Sequence, residues 1–225
     1  MSVGLVLVSH SAKLAEGLAE VAGQMAPDVT IVPAGGLPDG GVGTDYDSVV
    51  AAVQRADSGS GVVLLYDLGS AQMTAELAVE SLADPEAAVV VDAPLVEGTV
   101  AAAVAAQGGG DRAAVLEAAA AAGAPADLGP STAEPATDSV ELTLTNEVGL
   151  HARPAAVLAR SLAGLEAEVT VRLGDQEADA HSVLALMALG ARKGDRIEVR
   201  AGGAQAAEAL RVVQELVQDN FGEPA

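Results

Sequence analysis

The chain reads as an α/β protein in two parts. The first is a doubly wound, mainly parallel sheet, and the second an α+β arrangement ordered βαββαβα. Three observations predict this. Short apolar runs alternate with helical patterns through residues 1–123, as in a parallel sheet covered on both faces. Residues 124–139 carry three prolines and no apolar periodicity, the mark of a linker. Past it, residues 140–225 open with the alternating run Val140-Glu141-Leu142-Thr143-Leu144-Thr145, a strand with one covered face.

Gly4 to Ser9 is a continuous apolar run, expected as a buried parallel strand. It ends in Ser9-His10-Ser11, and Leu14, Leu18, Val21 and Met25 follow at helical spacing. Next come a strand at Val29–Val32, a glycine-rich loop from Gly35 to Thr44, and a helix from about Tyr46 to Ala56. The strand Val62–Tyr66 runs into Asp67-Leu68-Gly69-Ser70, with a helix expected from Met73 to Leu82. Ala88–Val91 reads as a fourth strand, and Ala/Val-rich helices occupy Val100 to Ala122.

Ligands of such sheets bind beyond the carboxyl ends of the strands. His10, the glycine-rich loop and Asp67 all fall at that edge. Glycines there let backbone N–H groups approach a phosphate. Asp67 is placed to hydrogen-bond one ring nitrogen of His10, fixing the tautomer and leaving the other nitrogen as a nucleophile. Each residue also has a plainer reading. His10 is then structural, the loop a connection, and Asp67 a cap for the helix after it. The loop lacks the Gly-Lys-Ser/Thr ending of a nucleotide-binding P-loop.

In the second part the strand 140–145 leads into Asn146-Glu147-Val148-Gly149-Leu150-His151-Ala152-Arg153-Pro154, and a helix runs from His151 to about 163. Pro154 suits a first helical turn, where a missing N–H costs nothing. The free N–H groups at Ala152 and beyond, the positive helix end and the Arg153 guanidinium make a seat for a phosphoryl dianion. His151 is either a cap there or a group that carries the phosphate covalently. Strands at Glu168–Arg172 and Glu177–Asp179, a short helix at 182–189, a strand at Arg196–Arg200 and a helix from Gln205 to Gln218 complete the order. Ser182 is placed to cap the short helix, His181 to sit at the surface, and Met187 in the core.

Half of the 225 residues are apolar, yet only Tyr46, Tyr66 and Phe221 are aromatic, so the core must be Ala, Val and Leu. There is no cysteine and hence no disulfide framework. No apolar run reaches the ~18 residues that span a bilayer. The opening residues lack the charged flank of a signal peptide, so a cytoplasmic protein is expected. Net charge is −21, with 3 basic against 16 acidic residues in 1–123 and 8 against 13 in 139–225. Such a surface argues against nucleic acid and anionic membranes as partners.

Gly149-Leu150-His151-Ala152-Arg153-Pro154-Ala155 resembles the active-site motif of HPr, the histidine phosphocarrier of the bacterial phosphoenolpyruvate phosphotransferase system. His181 to Gly190 with Lys193-Gly194-Asp195 resembles that family's second helix and the turn after it. Val8-Ser9-His10-Ser11, Gly35-Gly36, Gly41-Val42-Gly43-Thr44, Asp67-Leu68-Gly69-Ser70-Ala71 and Pro94-Leu95-Val96-Glu97-Gly98 resemble the mannose-type enzyme IIA domain. More narrowly, they resemble the phosphoryl-donor subunits of phosphoenolpyruvate-dependent dihydroxyacetone kinases.

The resemblance implies an HPr-like open-faced sandwich after a mannose-type IIA domain, and a phosphotransferase. Phosphate would pass from phosphoenolpyruvate through enzyme I to Nδ1 of His151 and to Nε2 of His10. It would then reach ADP on a kinase subunit that phosphorylates dihydroxyacetone. Asp67 and Arg153 would serve the two histidines. Ser9, Ser11, Gly35, Gly36, Gly43, Thr44, Gly69 and Ser70 would bind the phosphoryl group in the first part, and Ala152 in the second. Ser182 matches a position phosphorylated for regulation in some relatives. A homodimer through the IIA domain is implied, and the Ala-rich region beyond Val100 is a candidate interface. No metal or resident cofactor is expected, since the phosphate rides on histidine. A linker of about 16 residues spans roughly 20–25 Å on average, so transfer within one chain and between chains are both open. Two alternatives remain: a mannose-type IIA component of a sugar transporter, and a regulator that binds partners according to its phosphorylation state.

Overall fold

The computed structural model describes residues 2–123 and 138–222. Two compact units divide at Ala124 and Pro125. The predicted linker lies outside the described residues except for positions 138 and 139, which belong to a strand.

The first unit alternates strand and helix up to a closing helix pair: β1 (Gly4–Ser9), α1 (Ala12–Met25), β2 (Ile31–Gly35), α2 (Tyr46–Ala56), β3 (Val62–Tyr66), α3 (Gly69–Glu80), β4 (Ala88–Val90), α4 (Leu95–Gln107) and α5 (Arg112–Ala121). The strands pair in parallel in the order β2-β1-β3-β4. Side chains of β1 divide by strand periodicity. Leu5 and Leu7 pack with α1, α4 and α5 through Ala15, Leu18, Ala102, Ala103, Val115 and Ala119. Val6 and Val8 pack with α2 and α3 through Val49, Ala52, Val53, Ala71, Ala75 and Ala78. Small helix residues let the layers close with no aromatic among the fully buried side chains, Tyr46 and Tyr66 packing at the margin. At Gly4 the approach is tightest, since a Cβ there would lie 2.2 Å from the carbonyl oxygen of Ala56.

Because β2 and β3 lie on opposite sides of β1, the chain changes direction across the sheet between β1 and β3. That switch opens a crevice at their carboxyl ends. His10 follows β1 and Asp67 follows β3, so both edge residues are delivered there.

Several boundaries move. β2 runs from Ile31 to Gly35 and includes Pro33, which an edge strand tolerates. α3 begins at Gly69 rather than Met73, because its buried face is Ala71, Ala75 and Ala78 while Met73 is 70% exposed. α4 begins at Leu95. In the Ala-rich stretch beyond Val100, Val100, Ala102, Ala103 and Ala106 are buried inside the unit, while Ala113, Ala114, Ala120 and Ala121 of α5 are exposed.

The second unit contains β5 (Asp138–Thr143), α6 (Ala152–Leu162), β6 (Glu168–Leu173), β7 (Gln176–Asp179), α7 (Val183–Ala188), β8 (Arg196–Gly202) and α8 (Ala206–Gln218). The sheet is antiparallel in the order β5-β8-β6-β7. On β8, Ile197, Val199 and Ala201 are buried beneath the helices, while Arg196, Glu198 and Arg200 alternate with them. Arg200 meets Glu198 through two bonds of 3.0 Å, a pairing suited to the open face. Val183, Ala185 and Leu186 bury the inner side of α7; Met187, expected in the core, is only half-buried.

Candidate active sites

β1 ends at the buried Ser9, and the chain turns at His10 before α1 begins. The ring of His10 is 23% exposed, and its Nδ1 lies 2.9 Å from Oδ1 of Asp67. The carboxylate collects three further donors. Oδ2 accepts the backbone N–H of His10 at 2.8 Å and the hydroxyl of Ser9 at 2.8 Å, and Oδ1 accepts the N–H of Leu68 at 2.8 Å. Burial alone would raise the pKa of Asp67. The hydrogen bonds from the His10 N–H, its ring and Ser9 outweigh that and hold it below the ordinary carboxylate value.

An ionised carboxylate only accepts, so in the neutral ring the proton sits on Nδ1. Nε2 then presents its lone pair, and the hydroxyl of Ser70 meets it at 2.8 Å. Ser70 is the second residue of α3, whose first N–H groups, Gly69 and Ser70, open the positive end of the helix. An anion bonded to Nε2 would stand against that helix end.

The other residues expected to bind phosphoryl make contacts that build the frame of the site. Ser9 holds Asp67 and also accepts the N–H of Ser11 at 3.1 Å. Ser11 caps α1 by accepting from Leu14 N at 3.3 Å. A Cβ on Gly35 would stand 2.6 Å from the carbonyl oxygen of Ser11, so its role is to give room. Gly36, at φ +75°, donates its N–H to the carbonyl of Ser9 at 3.1 Å. The N–H of Gly43 goes to the carbonyl of His10 at 2.9 Å. The hydroxyl of Thr44 lies 2.9 Å from that of Thr74, a residue the sequence reading passed over although it stands one helical turn from Ser70. Leu37, Val42, Leu68 and Met73, all on elements at this edge, are exposed hydrophobics.

In the second unit His151 occupies the N-cap of α6 with extended backbone, but its side chain makes no capping bond. Ala152, Arg153 and Pro154 form the first turn. The loop before it is pinned. Gly149 (φ +66°) passes so close to the turn after α7 that a Cβ would lie 2.1 Å from the carbonyl oxygen of Ala191. Leu150 N donates to that same oxygen at 2.9 Å, and the buried Asn146 donates to the carbonyl of Gly149 at 2.9 Å. Thr145 donates to Oδ1 of Asn220, past the end of α8, at 2.7 Å. Arg153 is exposed, and among the described residues its guanidinium has no ion-pair partner. Lys193, close to the same turn, pairs with Glu147.

Ser182 caps α7, accepting from Ala185 N at 3.2 Å. Beside it, exposed His181 places Nδ1 3.0 Å from Oδ1 of Asp179. The hydrogen bond to Asp179 raises the pKa of His181 against the opposing effect of burial, and the carbonyl of Leu162 adds to the rise. Among the described residues no cluster of His, Asp or Glu is arranged to hold a metal ion. No helix among the described residues is long and apolar enough to cross a membrane.

A family model described as the PTS system fructose IIA component matches residues 4–116. A second, described as the PTS HPr component phosphorylation site, matches residues 139–219. The chain is 36% identical over 242 residues to the phosphoryl donor subunit DhaM of the PEP-dependent dihydroxyacetone kinase of Providencia stuartii, covering 98% of this chain and 50% of that one. It thus spans about half the length of the curated relatives it matches from end to end. The DhaM of dihydroxyacetone kinase 1 of Listeria innocua is 40% identical over 98 residues, which cover 44% of this chain and 77% of that protein. The phosphocarrier protein NPr of Escherichia coli is 46% identical over 81 residues, covering 36% of this chain and 90% of that protein. With both histidines set at helix starts in a fused IIA–HPr architecture, the chain belongs to the family of DhaM phosphoryl donor subunits.

Proposed function

We propose that the chain is a two-histidine phosphoryl relay. His151 takes phosphate that originates in phosphoenolpyruvate from enzyme I, and His10 receives it and delivers it to ADP on a dihydroxyacetone kinase subunit. The observation that carries this reading is the state of the His10 ring: Nδ1 tied to Asp67 at 2.9 Å, Nε2 turned to the helix end at Ser70. A nitrogen lone pair aimed at a helix N-terminus attacks phosphorus in line, and the N–H groups of that helix take the phosphoryl charge. Nucleophilic nitrogen keeps the transfer potential of the group, so the protein's part is positioning and exclusion of water.

At the second site the exposed His151, Arg153 with no ion-pair partner among the described residues, and the first N–H groups of α6 support the same chemistry. The acidic N-terminal unit and the cluster of exposed apolar residues at its His10 edge favour protein partners over nucleic acid.

The test is transfer of label from radiolabelled phosphoenolpyruvate with enzyme I present. His151→Ala should take up no label, and His10→Ala should take it up without passing it to kinase subunits and dihydroxyacetone. Labelling of the wild type without dihydroxyacetone phosphate would move the reading to a IIA component of a sugar transporter, in line with the family description of residues 4–116. No labelling at all would overturn it.

A further inference from the structure

The residue whose hydroxyl meets Nε2 of His10 is held at its backbone carbonyl by a chain of two threonine hydroxyls. Thr74 Oγ1 donates to the carbonyl oxygen of Ser70 at 3.0 Å, and Thr44 Oγ1 lies 2.9 Å from Thr74 Oγ1. A threonine hydroxyl has one proton, and Thr74 has committed its own to Ser70. Thr44 is therefore the donor in the second bond. The chain of bonds has one direction, Thr44 to Thr74 to the backbone carbonyl of Ser70, so it acts on the Ser70 hydroxyl through the placing of the first turn of α3.

Thr44 ends the loop between β2 and α2, and one residue earlier Gly43 donates to the carbonyl of His10 at 2.9 Å. One loop therefore grips both halves of the site: the histidine backbone through Gly43, and the first turn of α3 through Thr44 and Thr74. Both threonine side chains are half-buried, so the chain of bonds is shielded from water on part of its surface.

We infer that Thr44 and Thr74 are positioning residues that set the hydroxyl of Ser70 against Nε2 of His10 and, after transfer, against the phosphoryl group. The inference rests on the reading of His10 as the accepting nucleophile. In that step the new P–N bond forms at Nε2 as the donor's P–N bond breaks, and the donor nitrogen keeps the electron pair. The Ser70 hydroxyl gives up Nε2 as acceptor and turns to a phosphoryl oxygen, with no proton gained or lost. How far it has to turn is fixed by where the first turn of α3 stands, and small misplacements are costly in such transfers.

The test uses the full chain labelled with ¹⁵N-histidine. Ser70→Ala should move the Nε2 resonance of His10 toward that of an unbonded lone pair. Thr74→Val and Thr44→Val should move it part of the way in the same direction, and Thr74→Ser should leave it in place. Single-turnover transfer to His10 should fall about three- to tenfold in each valine variant. The double variant should be no slower than either single one, because one chain of bonds is cut in all three. Thr74→Ser should transfer at the wild-type rate, and labelling of His151 by enzyme I should be unchanged throughout. Should Thr74→Val fail to fold, Thr44→Val reads the same chain from its outer end. Valine variants with wild-type ring spectra and rates would overturn the inference. If wild-type His10 takes up no label, the relay reading falls, and the ring spectra still decide the positioning role.

Discussion

Nδ1 of His10 stands 2.9 Å from Oδ1 of Asp67, and the other oxygen of that carboxylate receives the backbone N–H of the same histidine at 2.8 Å. Ring and backbone of one residue are thus fixed by one side chain from the neighbouring strand. The crossing from β1 to β3 in the parallel sheet is what brings the two together, 57 residues apart in sequence.

Asp67→Asn tests this directly. Four donors converge on the carboxylate: the N–H groups of His10 and Leu68, the Ser9 hydroxyl and the His10 ring. An amide accepts at one oxygen only and turns its NH₂ on the remaining donors. Stability should fall by about 1–3 kcal/mol, and transfer to His10 by about 10²-fold or more. Denaturant melts and label transfer measure the two. The folded-state pKa of Asp67 is depressed, so its stabilisation is present above the ordinary value of 3.8 and is lost as pH falls through the folded value. The variant should lack that acid-side component of the wild-type stability curve.

Much of this frame was legible in the chain. Continuous apolar strands and intervening helical patterns specify a parallel sheet, and the rule for its carboxyl edge puts His10, Asp67 and the glycine loop side by side. What the sequence hid is which groups face the histidine and which support it. Ser9, Gly43 and Thr44 have the chemistry of phosphate ligands, and the fold adds what the sequence does not carry, their hydrogen bonds to Asp67, His10 and Thr74. Thr74 looked like one more helix residue. The start of α3 was missed because exposed Met73 and Leu77 imitate a buried stripe, whereas three alanines do the packing. The motif marks Gly149, but the physical reason for it, the carbonyl of Ala191 against its missing Cβ, is visible only in the fold.

His181 predicts a pH dependence confined to the second unit. Its pKa is raised above 6.5 by Asp179 and the carbonyl of Leu162, against burial. The pair's stabilisation is therefore complete below 6.5 and is lost as pH rises through the raised value. Asp179, which burial would raise, is held below 3.8 by its bonds to His181, so its share fades only in acid. In the wild type minus His181→Asn difference, the melting temperature of the second unit should shrink by about 2 °C from pH 6 to pH 9. A difference that does not change with pH would assign the histidine a packing role only.

Ser182 is a cap, since its hydroxyl accepts the N–H of Ala185 at 3.2 Å. Ser182→Ala should cost about 0.5–2 kcal/mol of stability in the second unit, with labelling of His151 unchanged. Ser182→Asp should recover the loss, because a carboxylate caps as well and suits the positive helix end. Thermal melts of the three proteins separate this from a purely regulatory hydroxyl, whose removal would leave stability untouched.

Arg153 makes the opposite case, a residue kept at a cost to the fold. It sits in the first turn of α6, where a cation opposes the helix dipole, and among the described residues no carboxylate offsets it. Arg153→Ala should therefore leave the second unit as stable or more so, by about 0.3 kcal/mol. On the relay reading, transfer from enzyme I to His151 should fall about 10- to 100-fold, since the guanidinium would then be the side-chain cation that meets the dianion. Arg153→Lys should recover part of the rate, because a point charge replaces a planar fork. A variant that loses stability together with rate would mean that the arginine supports the helix rather than the phosphoryl group.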